Sequence, residues 1–399
     1  MAAAFLTLMP SPPAEAVAAQ ATAVGAAQPP RPAIFSPVVD LLCVGGLSIL
    51  LIVPMLLSGR EDLAFLNIGV LIWMQALINY SHFMASYRII YRDREMIRRH
   101  RWAAIWMPMI LLGYALLALW QAQQQRPLLV GVMVAVGSGY LAWHYTGQVW
   151  GMMASYTYLA GGRIDKSERL LIRSSLRILL VWHLVWFVNI WFRQTSLPEP
   201  FWLVPLYQAV TAATLLAAVL GGLGILKIRL RSGSFPPARA LVAWIAIFVW
   251  YAAMWRWGLP ALFLVQLAHA IQYLEFPARV ELNRATRTAA TRATGHMALY
   301  GAGLLAASFL VVLAVPGPAM SVVAGFLGLE PNKVAPVLIL TFINIHHYFT
   351  DGVAWKLGNP EVRKDLFSHV NPATVSLPAG PAGPANPAGG KRKRRPVER

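Results

Sequence analysis

Ile343-Asn-Ile-His-His-Tyr-Phe-Thr-Asp-Gly-Val-Ala-Trp-Lys-Leu357 closes an apolar run that begins at Val334. A run of that length and composition reads as a membrane-spanning helix. It also carries Asn344, His346, His347 and Asp351. Amides, imidazoles and carboxylates at membrane depth are expensive, so they face a cavity, a metal or one another in preference to lipid. The stretch therefore sets both the fold class and the place to look for chemistry.

The rest of the chain agrees with a membrane setting. Of 399 residues, 57% are hydrophobic and 13% charged, and the mean hydropathy is +0.54, well outside the soluble globular range. Apolar runs near twenty residues long recur at 37–57, 63–87, 102–120, 128–150, 178–192, 201–225, 240–255, 259–276, 297–315 and 334–349, which predicts about ten spans. Residues 320–329 are too short to cross and read as a re-entrant or interfacial segment. Asp40, early in the first run, reads as an interfacial residue at a helix N-terminus.

Loop charge orients the spans, because cytoplasmic loops carry excess Lys and Arg. Arg88, Arg92, Arg94, Arg98, Arg99 and Arg101 follow the second run; further clusters follow the fourth, sixth and eighth, at 163–173, 227–231 and 279–292. The alternate loops are poor in basic residues. The expected fold is an all-α polytopic transmembrane helix bundle with both termini cytoplasmic, and every even-numbered span then ends at the cytoplasmic face. Residues 1–35 read as a disordered Ala/Pro-rich tail and not as a secretory signal peptide, 36–357 as the transmembrane domain, and 358–399 as a cytoplasmic Pro/Ala/Gly-rich and basic tail. The expected location is a bacterial cytoplasmic (inner) membrane.

The net charge of +18 does not call for nucleic acid, since the basic residues sit in short clusters between apolar runs, where lipid headgroups and membrane insertion use them. The run Lys391-Arg392-Lys393-Arg394-Arg395 reads as a membrane-surface or orientation signal. A single cysteine, Cys43, excludes a disulfide within the chain.

Four spans carry polar residues at helical spacing. These are Gln75, Asn79, His82 and Ser86 on the second, and Tyr140, His144, Gln148 and Ser155 on the fourth. The eighth has Gln266, His269 and Tyr273, with Gln272 and Glu275 nearby; the tenth has Asn344, His347 and Asp351. Each set lies on one face of its helix. Loop-charge topology places all four near cytoplasmic helix ends at similar depth, which favours one shared site. His183, between Trp182 and Trp186, reads as packed; His100, His296 and His369 read as solvated.

Neutral imidazoles are the commonest biological metal ligands, and two or more with a carboxylate and open positions suit non-haem iron, whereas all-histidine sets suit zinc or copper. His82, His144, His269 and His347 are the expected ligands. His346 lies about 100° around the helix from His347, so both reach one centre only if the helix end is irregular. Asn79, Gln148, Gln272 and Asn344 are placed to hold the second ring nitrogens. Asp351, one turn beyond His347, is a ligand or a catalytic proton acceptor, and Glu275 is the second catalytic carboxylate. An oxygen-activating iron site at this depth would take a lipid or isoprenoid that enters sideways between helices, so the expected partners are membrane lipids and an apolar small molecule.

Histidines scattered over several transmembrane helices resemble the membrane carotenoid oxygenases of the Brp/Blh type, and the His346-His347 pair is similar to the histidine boxes of membrane desaturases and alkane hydroxylases. The resemblance implies metal dependence and an apolar substrate. Other classes stay open at this point: a transporter or proton path lined by the same residues, haem held by two histidines, or polar stripes that only pack helices.

Overall fold

The computed structural model describes residues 33–59, 62–63, 68–194, 198–314, 334–355 and 360–370. The expected re-entrant segment at 320–329, the basic run at 391–395 and the Gln75 side chain lie outside the described residues.

Every regular element among the described residues is helical. The elements are α1 (Pro37–Leu57), α2 (Ile68–Tyr91), the short α3 (Arg94–Arg99), α4 (Trp102–Gln123), α5 (Leu128–Leu159) and α6 (Lys166–Gln194). There follow α7 (Leu203–Ser232), α8 (Ala238–Trp257), α9 (Leu259–Ala289), α10 (Ala293–Ala314), α11 (Val334–Ala354) and α12 (Pro360–Phe367). Eight of these, α1 and α4 through α10, are long and apolar enough to cross a membrane. That count is of the described residues alone; α2 and α11 are the helices that bring His82, His347 and Asp351 inward. Leu50, Leu112, Leu215, Leu216, Phe309 and Leu310 are exposed on the outside of the bundle, as a lipid-facing surface requires.

α1 starts with local chemistry legible in its sequence. Ser36 caps it, its hydroxyl accepting from the Val39 amide at 3.2 Å, and Pro37 fills the first helical position, where no amide donor is needed. Asp40 lies in the first turn of α1 and is fully buried: it accepts from the amides of Ile34 and Phe35, both at 2.8 Å, and it pairs with Arg239 of α8 at 2.8 Å. The backbone then widens into a π-turn over Leu42–Gly46, with Gly45 at φ 136°. A side chain at Gly45 would collide with Ala246 of α8, so glycine is needed there both for its conformation and for the close approach.

α6 and α7 form an antiparallel hairpin, closed at one end by Arg231, whose Nε donates to Glu168 at 2.7 Å. α2 packs against α9, α10 and α11; α5 packs against α4, α6, α8 and α11. These two groups meet along α11, which touches both α2 and α5. The basic loops gather at one end of the bundle. Arg88 and Arg92, at the end of α2, pair with Glu281 near the end of α9, and Tyr158, at the end of α5, packs its ring 5.4 Å from that of Phe367 in α12.

That end is closed by residues the sequence assigns to the two tails. In α12 Leu366 is fully buried, Arg284 and Arg287 pair with Asp365, and Asn283 Nδ2 donates to the carbonyls of Asp365 and Leu366 at 2.9 and 3.0 Å. His369 Nε2 donates to Ala33 O at 2.8 Å, joining the first and last described segments. Residues 360–370 thus belong to the folded body, anchored by charge pairs that a composition reading does not detect.

Candidate metal centre

The inward faces of α2, α5, α9 and α11 converge. Ring centroids lie 4.4 Å apart for His82 and His347, 5.1 Å for His144 and His347, 4.8 Å for His144 and His269, and 5.2 Å for His82 and His269. His82 (1% exposed), His144 (6%), His347 (0%) and Asp351 (7%) each offer a ligand atom, and those atoms all lie within 4.8 Å of one another. Helical phase explains the set: His347 and Asp351 are one turn apart on α11 and so share a face.

The separations match the edges of a coordination shell. The Nε2 atoms of His82 and His347 are 2.8 Å apart; Asp351 Oδ2 lies 3.3 Å from His347 Nε2 and 3.6 Å from His144 Nε2. Ligands about 2.0–2.2 Å from a common ion sit roughly 3.0 Å apart in octahedral and 3.4 Å apart in tetrahedral arrangements. These three edges straddle that range, while His82 and His144 stand farther apart, their ring centroids 6.4 Å from each other.

Asp351 is held in place for such a role. Its Oδ1 accepts from Ser86 and from Tyr273, each at 2.7 Å, while Oδ2 faces the histidines. Tyr273 in turn accepts from Trp355 Nε1 at 2.6 Å. One oxygen is thus committed to hydroxyl donors and the other is left for the centre, the usual division for a carboxylate ligand with outer-sphere support.

Buried atoms without a hydrogen-bond partner point the same way. They are His82 Nδ1, His144 Nε2, both ring nitrogens of His269, His347 Nδ1 and Asp351 Oδ2. Of the six, His144 Nε2 and Asp351 Oδ2 belong to the close group, 3.6 Å apart, and a cation between them satisfies both.

The structure divides the sequence candidates. His82, His144, His347 and Asp351 form the group. His269 stands beside it, its ring against those of His144, His82 and Tyr145, but outside the set of mutually close ligand atoms. His346 points away: its Nε2 lies 3.0 Å from Ala103 O and 3.4 Å from Tyr91 Oη, and its ring stacks on Tyr87. The helix end is regular there, so the 100° offset separates the pair.

Three of the four amides expected behind the histidines have other partners. Asn344 donates to Leu340 O at 2.7 Å within its own helix. Gln272 donates to Val44 O at 2.6 Å, at the π-turn of α1, and accepts from Gln148, which also donates to His269 O at 3.2 Å. Asn79 is buried on the His82 helix. Glu275 belongs to a separate cluster, accepting from Tyr156 at 2.5 Å near the Asp40–Arg239 pair. Ser86 and Tyr273 were visible as members of their stripes, but their joint hold on Asp351 needed the relative rotation of three helices. Trp355 carried no sequence signal of a role.

Among the remaining histidines, His183 Nδ1 lies 3.1 Å from Tyr251 Oη within an aromatic core. His296 is not simply solvated, since its Nε2 lies 3.1 Å from Glu281 Oε2.

No protein-family model, curated protein or solved structure matches the chain. The functional reading rests on the donor set and its surroundings.

Proposed function

We propose that His82, His144, His347 and Asp351 bind one divalent transition-metal ion, and that the protein is a metal-dependent oxidoreductase acting on a lipid or isoprenoid substrate in the membrane. The observation that carries the reading is a buried three-imidazole, one-carboxylate group whose ligand atoms lie within 4.8 Å of one another, with Asp351 Oδ1 already engaged by Ser86 and Tyr273. Mixed imidazole and carboxylate sets with open positions suit non-haem iron; zinc is the redox-inert occupant of the same donors. Bound iron would supply oxygen activation.

The chain's own residues would orient and shield this chemistry. Ser86, Tyr273 and Trp355 fix the carboxylate, and Phe83 and Tyr348, packed against the imidazoles, exclude water. In this reading α2 and α11 also cross the membrane, giving ten spans. The basic end and both termini then face the cytoplasm under the loop-charge rule, and a bacterial inner membrane is the setting.

The test is conversion in nanodiscs made from a bacterial lipid and isoprenoid extract. Protein loaded with ferrous iron should yield an oxygenated or desaturated product under air with ascorbate as electron donor, and zinc-loaded protein and the His347→Ala variant should not. Equal product from the zinc-loaded protein would reject the oxidoreductase reading and leave metal binding in place.

A further inference from the structure

Away from the metal centre, charge concentrates where the ends of α2, α9 and α12 meet. Glu281, 2% exposed, accepts from Arg88 at 3.2 Å and Arg92 at 3.0 Å, with His296 at 3.1 Å. Asp365 accepts from Arg284 and from Arg287. Two carboxylates therefore fix four arginines and one histidine. A guanidinium carries five N–H donors in a rigid fork, so arginines held in this way keep further donors for a ligand without loss of side-chain freedom.

Two hollows open between these residues. One, of about 680 Å³, is lined by Arg92, Arg284, Arg287, Arg292 and His296 with the carboxylates of Glu281 and Asp365; the other, of about 420 Å³, by Arg99, Arg284, Lys364 and Trp355 with Asp93, Glu95 and Asp365. Arg284, Arg287 and Asp365 line both, which makes them two parts of one groove. Arg292 and Lys364 have no ion-pair partner among the described residues, whereas Arg284 Nη1, which makes no hydrogen bond, lies 3.9 Å from Glu281 Oε1.

We propose that this groove binds the phosphate group of an amphiphile. Convergent arginine forks on a fixed anionic scaffold match a tetrahedral oxyanion carrying one or two charges, and the groove lies at the membrane end where a lipid head would sit. Its inner wall leads to the metal centre: Trp355 donates to Tyr273 at 2.6 Å, and Tyr273 donates to Asp351 at 2.7 Å. A ligand anchored by its head here would lie against that wall, which makes a phosphorylated lipid or isoprenoid the substrate class. That last link rests on the metal-centre reading; phosphate binding itself does not.

The experiment is equilibrium binding of radiolabelled dodecyl phosphate to the full-length protein in neutral detergent, with and without inorganic phosphate as competitor. Wild type should show one saturable site, and Arg292→Gln/Lys364→Gln, which leaves every ion pair of the groove intact, should bind about tenfold more weakly. Competition by inorganic phosphate would identify the phosphate alone as the ligand, and its absence would identify the lipid head group; both support the site. Unsaturable binding, or equal affinity in the double variant, would overturn it. His82→Ala/His347→Ala should keep wild-type affinity for dodecyl phosphate, so failure of the metal reading and failure of the groove give different results.

Discussion

Tyr273→Phe removes one hydroxyl and little else, and it tests whether Asp351 is a supported ligand. Asp351 Oδ1 has two donors at equal distance, Tyr273 and Ser86, both at 2.7 Å. Loss of an outer-sphere partner typically weakens metal affinity 10–100-fold, or about 1.4–2.7 kcal/mol. Because Ser86 remains, the single change should fall near the lower end, about tenfold, and Ser86→Ala/Tyr273→Phe near a hundredfold.

The assay is competition with a chromophoric chelator, run beside thermal unfolding. Removing a partner from a buried carboxylate also costs stability, about 1–3 kcal/mol. Ser308→Ala, which breaks the 2.9 Å contact between Ser81 and Ser308 away from the centre, supplies the control: stability lost, metal affinity kept. Wild-type metal affinity in Tyr273→Phe, or an equal loss in Ser308→Ala, would refute the assignment of Asp351.

His346→Ala should leave metal stoichiometry unchanged while lowering the unfolding temperature, since it removes the contact with Ala103 O and the stack on Tyr87; metal loss measured by elemental analysis would move His346 into the centre. Arg239→Met strands the buried Asp40 carboxylate, and such a change costs about 3–5 kcal/mol. The amides that still hold Asp40 put the loss near 3 kcal/mol by denaturant unfolding, with part recovered in Asp40→Asn/Arg239→Met. Burial works against the charge of Asp365, but the hydrogen bonds of Arg287 and Arg284 outweigh it and hold its carboxyl below the ordinary carboxylate range. A group with a depressed folded pKa stabilises above its unfolded value and loses that contribution as pH falls toward the folded one. Hydrogen exchange in α12 should therefore stay slow from neutral pH down to about pH 4 and rise below it, whereas Asp365→Asn should exchange fast throughout.

How much of this was legible in the sequence follows from the range of each interaction. The helical membrane bundle was, because hydropathy over twenty residues is a local property, and so were the faces carrying His82, His144, His269 and His347, because helical phase is local too. Phase alone also separated His347 from His346. What it could not supply was the rotation of one helix against another, which decides that Asp351 and not His269 completes the closest group and that Ser86 and Tyr273 act on the same oxygen. The partners of Gln272 and Asp40 were hidden for a related reason. The π-turn in α1 breaks the 3.6-residue period and frees Val44 O, and Arg239 is distant in sequence from Asp40. The docking of α12 depends on charge pairs from an eight-residue helix, too short for any periodicity to reveal.

The central claim is that a metal ion joins these four side chains, and elemental analysis of the protein in lipid nanodiscs tests it most directly. Wild type prepared under reducing, metal-replete conditions should carry one transition-metal ion per chain, and His82→Ala/His144→Ala/His347→Ala should carry none while still inserting as a helical bundle. Wild type without stoichiometric metal, or a triple variant that retains it, would contradict the account.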